Sequence, residues 1–164
     1  PELGFRWLME KYQSQMYWHI RRMVVSHEDA EDVLQETFIK IFRYLDDFRA
    51  ESSLSTWVYR IATNECIRFL NRRKEQTIST EEVQADLMNK LMASEYVDYD
   101  NAMEVKFQKA ILTLPEKQRL VFNLRYYDEL KYEEISRITD TKVETLKANY
   151  YFAKEKIKEY MTNN

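Results

Sequence analysis

Hydrophobic residues recur every three or four positions over long stretches of this chain, which is the spacing of amphipathic α-helices. One such stripe runs from about Leu3 to Val25, and another runs from Leu54 to about Arg73. Between them lies a broader stripe, made of Ala30, Val33, Leu34, Thr37, Phe38, Ile41, Phe42 and Leu45. Ser26 precedes this second helix as a typical N-cap. The chain contains one glycine and two prolines, so few residues interrupt the helices, and we predict an all-α fold.

The most regular stripe lies near the C-terminus. Tyr132, Ile135 and Ile138 recur at steps of three, and a short polar segment at 140–142 follows them. The next helix has its apolar face at Val143, Leu146, Tyr150, Ala153, Ile157 and Tyr160. Two short helices around a tight turn indicate a helix-turn-helix, whose second helix fits the DNA major groove. The same pattern occurs in helical bundles, so periodicity alone leaves DNA binding open.

The middle of the chain lacks this regularity. Residues 75–103 carry one basic and seven acidic side chains, and only Leu87, Leu91 and Met92 form a short amphipathic piece. Pro115 fits the first turn of a later helix. We therefore predict two small helical domains, at 1–74 and 104–164, joined by a flexible acidic linker at 75–103. One hypothesis is that the linker lies over the basic faces of both domains in a compact free state.

The net charge of −3 hides an uneven layout, because the flanking segments are slightly basic. A basic strip on the third helix consists of Arg60, Arg68, Arg72, Arg73 and Lys74. Such a strip can neutralise DNA phosphates. From the residues alone, a solvated helix end whose cations favour the helix dipole is the preferred interpretation.

Several classes of protein are disfavoured by composition. Cys66 is the single cysteine, and with His19 and His27 it cannot build a zinc cluster, so we expect no metal or other cofactor. The chain has no glycine-rich phosphate loop, no Glu-x-x-His pair and no Cys or His constellation for nucleophilic catalysis, so we do not expect an enzyme. No apolar run approaches the ~18 residues of a membrane span, and we expect a cytoplasmic protein. Because no methionine precedes Pro1, native residues before it are expected to be missing.

Three segments carry a resemblance to a known family. They are residues 30–38 (AEDVLQETF), residues 48–64 (FRAESSLSTWVYRIATN) and residues 114–157. Together they resemble the extracytoplasmic-function (ECF) sigma factors of the sigma-70 family, the two-domain initiation factors of bacterial RNA polymerase. The resemblance implies a protein that binds core polymerase, opens the −10 promoter element with its N-terminal domain and reads the −35 element with its helix-turn-helix.

The resemblance also implies which residues meet the polymerase. In the family, the polar side of the second helix docks on the clamp helices of the largest polymerase subunit, which here points to Asp32, Gln35, Glu36 and Arg43. An acidic face suits a basic partner through electrostatic steering. Without the family, the same residues would be read as a solvated helix face.

For the −10 element, the resemblance implies a pocket that captures a flipped base. The corresponding residues are Phe48, Arg49, Glu51, Ser52, Ser53, Leu54, Trp57, Tyr59, Arg60 and Asn64. Polar groups beside aromatic rings can hydrogen-bond and stack an extruded base. Trp57 is equally compatible with a core position. Ala50 stands where the family often has glycine, which leaves the base preference of the loop open.

For the −35 element, the implied contacts are Arg125, Lys142, Thr145, Lys147, Ala148, Asn149, Tyr151 and Phe152. The chain departs from the common pattern at Asp140, Lys142 and Asn149, where the family often has a turn glycine, a capping serine and an arginine. Asparagine favours adenine where arginine favours guanine, so we expect an altered base preference. Thr141 is then the candidate cap of the recognition helix.

Two other functions remain open at this stage. A stand-alone helix-turn-helix regulator would bind DNA unaided and would leave segment 48–64 without a role. A helical interaction adaptor would not bind DNA at all. An anti-sigma factor as a further partner is implied by the family resemblance only.

Overall fold

The computed structural model describes residues 2–49, 53–75, 80–93, 98 and 100–163, and this part of the chain forms α-helices without strands. The helices are α1 (Glu2–Val24), α2 (His27–Tyr44), α3 (Leu54–Glu75), α4 (Thr80–Met92), α5 (Ala102–Leu112), α6 (Glu116–Tyr126), α7 (Tyr132–Thr139) and α8 (Val143–Thr162). A 3-10 turn (Leu45–Asp47) follows α2. The all-α prediction is confirmed. No described helix is both long and apolar enough to cross a bilayer.

Helices α1, α2 and α3 pack against one another and form the N-terminal domain. The hydroxyl oxygen of Ser26 accepts a hydrogen bond from the backbone N–H of Asp29 at 3.2 Å, so Ser26 caps α2 as its sequence position predicts. The buried carboxylate of Glu65 on α3 pairs with Lys40 of α2 and with Arg68, which lies 3.0 Å away. These contacts fix the second and third helices side by side.

The broad apolar stripe on α2 predicts the wrong burial for one residue. Phe42 was expected to be buried, but 55% of its surface is exposed. The ring packs edge-on against Phe5 of α1, with the ring centroids 5.0 Å apart. A helix that packs on its neighbours along one side leaves the edge of a wide stripe uncovered.

Helices α5 to α8 form the C-terminal domain. Asn101 caps α5 by accepting from the backbone N–H of Glu104 at 3.2 Å. Helix α7 and helix α8 form the helix-turn-helix, and Leu146, Ala153 and Ile157 of α8 are buried as their spacing predicts. One face of α8 is therefore committed to packing and the other remains exposed.

The acidic segment contains a packed helix. Sequence composition predicts a flexible linker at 75–103 with one short amphipathic piece, and the structure has α4 at that piece. Leu87 and Leu91 of α4 are buried against Val25 and Leu112. Acidic composition alone would not stabilise a helix in this segment, but the burial of these two leucines does.

The two domains dock on each other through a continuous hydrophobic core, which includes residues of α1 to α3 and of α6 to α8. At the polar part of this interface, the buried guanidinium of Arg119 donates to the carbonyl oxygens of Met23 at 2.8 Å and Arg22 at 3.2 Å. The hydroxyl of Tyr59 donates to Asp128 at 3.0 Å. The C-terminal domain therefore covers one side of the N-terminal domain.

Candidate nucleic-acid and polymerase interfaces

The outer face of α8 carries the residues expected to read the −35 element. The exposed members of this set are Lys142, Thr145, Lys147, Ala148, Tyr151 and Phe152. Asn149 is half-buried on the same helix, and Arg125 of α6 is also half-buried. More than half of the surface of Tyr151 and of Phe152 is exposed. A helix with one packed and one open face of this kind can enter a major groove.

The N-terminus of α8 lacks the cap that we predicted. Lys142 occupies the N-cap position, and no side chain accepts a hydrogen bond there. Thr141 was expected to cap the helix, and this expectation is wrong, because its hydroxyl donates back to the carbonyl oxygen of Thr139 at 3.2 Å. The carbonyl of Thr141 in turn accepts from the hydroxyl of Ser136 at 2.6 Å. The first N–H groups of α8 are thus open to an anion such as a DNA phosphate.

The turn of the helix-turn-helix explains one departure from the family pattern. Asp140 ends α7 with φ 54° and ψ 42°, which is the left-handed region. Glycine adopts this conformation without steric cost, and aspartate and asparagine are the residues that tolerate it best after glycine. The turn therefore keeps its geometry although the glycine is replaced.

Several residues expected at the −10 element surround the start of α3. The rings of Phe48 and Trp57 pack with centroids 5.1 Å apart, and both are half-buried. The backbone N–H of Thr56 donates to the hydroxyl of Ser53 at 3.1 Å, which fixes the first turn of α3. Leu54 is half-buried, whereas Arg49, Arg60 and Asn64 are exposed. Ala50, Glu51 and Ser52 lie outside the described residues.

Tyr59, which we expected beside the opened strands, lies elsewhere. Its side chain is fully buried, and its hydroxyl accepts from the side-chain amide of Gln15 at 2.9 Å and donates to Asp128. Burial, followed by the negative charge of Asp128, raises the pKa of Tyr59. In this arrangement the ring joins the two domains and is not accessible to bases.

The surface that we expected to recognise the −10 element faces the helix-turn-helix across a cleft of about 700 Å³. Arg49, Trp57 and Asn64 line it from the N-terminal domain, and Ser136 and Asp140 line it from the C-terminal domain. The guanidinium of Arg60 donates across the cleft to the carbonyl oxygen of Arg137 at 3.2 Å. Docking of the C-terminal domain therefore leaves less space for DNA to reach this surface of the N-terminal domain.

The four residues expected to meet the polymerase, Asp32, Gln35, Glu36 and Arg43, are all exposed on α2. Beside them the structure reveals an apolar groove of about 540 Å³ between α1 and α2. Its apolar lining consists of Phe5, Met9, Leu34, Phe38, Ile39 and Phe42. Sequence analysis missed this groove, and the signal that could have found it was the excessive width of the α2 stripe. An exposed apolar groove with a polar rim is typical of a protein interaction site.

Comparison with known proteins decides the family. The family described as Sigma-70 region 2 matches residues 8–76, and the family described as Sigma-70, region 4 matches residues 104–157. The ECF RNA polymerase sigma-E factor of Escherichia coli K12 is 32% identical, and the match covers 94% of this chain and 84% of that protein. The ECF RNA polymerase sigma factor SigW of Bacillus subtilis is 30% identical, with 96% and 89% covered.

The chain belongs to the ECF sigma factors. As a member of this family it is a sigma factor that directs RNA polymerase to promoters. Segment 48–64 lies within the family match at residues 8–76. A stand-alone helix-turn-helix regulator or an interaction adaptor would leave this segment without a role. The proteins of this family are transcription initiation factors.

Two solved structures share the fold of this ECF sigma factor. The sigma factor RpoE of Bartonella quintana, solved in complex with the anti-sigma factor NepR, has a TM-score of 0.74 at 20% identity and covers 98% of each chain. CnrH, solved in complex with the cytosolic domain of CnrY, has a TM-score of 0.68 at 17% identity and covers 97% of this chain and 88% of its own.

Proposed function

We propose that this ECF sigma factor docks on the clamp helices of the largest polymerase subunit through α2. The exposed carboxylates of Asp32 and Glu36, with Gln35 and Arg43, supply a polar rim. The apolar groove beside them, with Phe42 at its edge, supplies area that becomes buried on binding. Charged rims steer association, while buried apolar groups supply most of the affinity, so the two parts of this surface are complementary.

We propose further that α8 reads the −35 element. The single observation that carries this assignment is the exposed face of α8, where Lys147, Ala148 and Tyr151 point away from the buried residues Leu146 and Ala153 and half-buried Asn149 lies at the edge of the packed face. Asn149 can form a bidentate contact with adenine, and Lys142 at the uncapped helix start can meet a phosphate.

For the −10 element we propose that the base-binding site lies between the Phe48–Trp57 pair and the polar side chains of Arg49, Arg60 and Asn64. Aromatic stacking contributes about 1–3 kcal/mol per base, and the exposed amide of Asn64 can hydrogen-bond a base edge. Tyr59 joins this site only if the domains separate, since its ring is buried between them here.

The distance between the two promoter elements requires such a separation. The roughly 25 base pairs from −10 to −35 span about 85 Å at about 3.4 Å per base pair. A compact chain of 164 residues has a radius of gyration of about 15 Å and is about 40 Å across. The docked arrangement therefore cannot reach both elements, and we propose that polymerase binding holds the domains apart.

We also propose that an anti-sigma factor regulates this protein in the cytoplasm, where polymerase and promoters are found. Support comes from the sigma factor RpoE of Bartonella quintana, which has the same fold and was solved in complex with the anti-sigma factor NepR. The apolar groove between α1 and α2 is a surface on which such a partner would compete with polymerase.

The experiment that tests the proposed function is transcription with purified bacterial core polymerase, this protein and a pool of upstream fragments from its genome. We expect discrete start sites that appear only when the protein is added. Base-by-base substitution of one such promoter then compares the wild type with Asn149→Ala, which we expect to lose discrimination at a single −35 position. Absence of start sites together with DNA binding by the protein alone would favour a stand-alone regulator.

A further inference from the structure

Tyr132 lies where three helices of the C-terminal domain meet. It is the first residue of α7, and two cations from the neighbouring helices approach its ring. The guanidinium carbon of Arg125 on α6 is 4.8 Å from the ring centroid. The ammonium nitrogen of Lys147 on α8 is 5.8 Å from the same centroid. Both distances are within the ~6 Å range of a cation–π interaction.

The ring of Tyr132 is held in place from behind. It is half-buried, packs against the main hydrophobic core and meets Tyr150 edge-on, with centroids 6.4 Å apart and planes at 71°. Arg125 is held at a second point, because its guanidinium donates to the carbonyl oxygen of Leu130 at 2.9 Å. A fixed ring therefore supports two side chains that would otherwise be flexible.

Two like charges at one site repel each other, and the electron-rich face of an aromatic ring offsets this repulsion. Among the described residues, no carboxylate lies within 4.0 Å of the charged group of Arg125 or of Lys147. Their positive charge is thus compensated by the ring and by a carbonyl oxygen. Both groups remain available to a negatively charged ligand.

We propose that Tyr132 is a positioning residue for −35 recognition: its ring orders Arg125 and Lys147 as a pair of cations ready to bind the DNA backbone. This inference rests on the proposed function of α8. Long cationic side chains lose conformational freedom when they bind, and a side chain that is already ordered loses less. Tyr132 acts through these two side chains and does not itself contact DNA.

The test uses holoenzyme reconstituted from core polymerase and the full chain. The DNA probe is a duplex that contains the −35 element of a promoter found with the wild-type protein and ends upstream of the −10 element. Tyr132→Phe keeps the ring, and we expect binding close to that of the wild type. Tyr132→Leu keeps an apolar side chain but removes the ring, and we expect binding to weaken by roughly three- to tenfold. Tyr132→Met is a second variant that keeps an unbranched apolar side chain of similar length.

A mutant cycle distinguishes positioning from a structural role. When Arg125 and Lys147 are both replaced by alanine, the ring has no cation to order, so Tyr132→Leu should cause no further loss of binding. Thermal unfolding of every variant checks that the domain remains folded.

Three results would overturn the inference while leaving the proposed function intact. They are wild-type binding by Tyr132→Leu and Tyr132→Met, an equal loss in Tyr132→Phe, or an undiminished effect of Tyr132→Leu in the double-alanine background. If the wild-type holoenzyme itself does not bind the −35 duplex, the proposed function fails and the inference fails with it.

Discussion

The hydrogen bond between Tyr59 and Asp128 joins the two domains, and its removal should loosen their docking. Tyr59→Phe deletes only the hydroxyl, which donates to the carboxylate at 3.0 Å and accepts from Gln15 at 2.9 Å. Asp128 is largely buried, with 7% of its side chain exposed, and Arg22 lies 3.6 Å from it. The substitution therefore leaves a buried carboxylate with one fewer donor.

A hydrogen bond to a charged group contributes about 1.5–3 kcal/mol, and we take about 2 kcal/mol for this one. Because about 1.4 kcal/mol corresponds to a factor of ten, the equilibrium between docked and separated domains should shift by about 30-fold. Small-angle X-ray scattering of the free protein should show a larger radius of gyration for Tyr59→Phe. Urea unfolding should show a lower free energy of unfolding.

Tyr12→Phe is the matched control, because Tyr12 is also buried but lies within the N-terminal domain. Within the described part of the chain the hydroxyl of Tyr12 makes no hydrogen bond, so we expect this substitution to change the free energy of unfolding by less than about 0.5 kcal/mol. The reasoning would be refuted if Tyr59→Phe behaved like Tyr12→Phe. It would also be refuted if the effect of Tyr59→Phe were unchanged in an Asp128→Ala background, which has no side-chain acceptor, since the two residues would then not be coupled.

Three further predictions concern pH, the start of α8 and the docking of α4. Burial, followed by the charge of Arg22, lowers the pKa of His19 to about 3, so unfolding takes up a proton below about pH 6.5. The free energy of unfolding should thus fall as pH decreases. Between pH 6.5 and 5, urea titrations should show a loss about 1.6 kcal/mol larger for the wild type than for His19→Gln, and parallel curves would contradict this. Lys142→Ser should stabilise the protein by about 1 kcal/mol in thermal unfolding by capping α8. The same substitution should reduce the salt dependence of −35 binding by about one phosphate contact, and an unchanged salt slope would exclude Lys142 from the DNA interface. Asp29 accepts from Lys90 of α4 at 2.8 Å and from Arg73 of α3 at 3.1 Å, so Asp29→Ala should increase hydrogen exchange in α4 and leave that of α8 unchanged.

The sequence by itself determined the helices and the family. Stripes at steps of three and four are a local property, because each turn of a helix brings the same few neighbours together. The cap at Ser26, the helix-turn-helix and the buried residues of α8, such as Leu146, could therefore be predicted from the order of the residues alone. The −35 candidates were implied by the family resemblance, and the exposure of most of them on α8 follows from the stripe, since the face opposite a buried stripe is exposed.

The tertiary structure decided which faces are covered and by which neighbour. Tyr59 is buried because Asp128 lies against it, although 69 positions separate the two residues in the chain. Phe42 is exposed because α1 covers only part of the wide α2 stripe. Tyr132 meets Arg125 and Lys147 only after three helices have packed together. Such contacts depend on how helices assemble, and the period of a single helix carries no information about its partners.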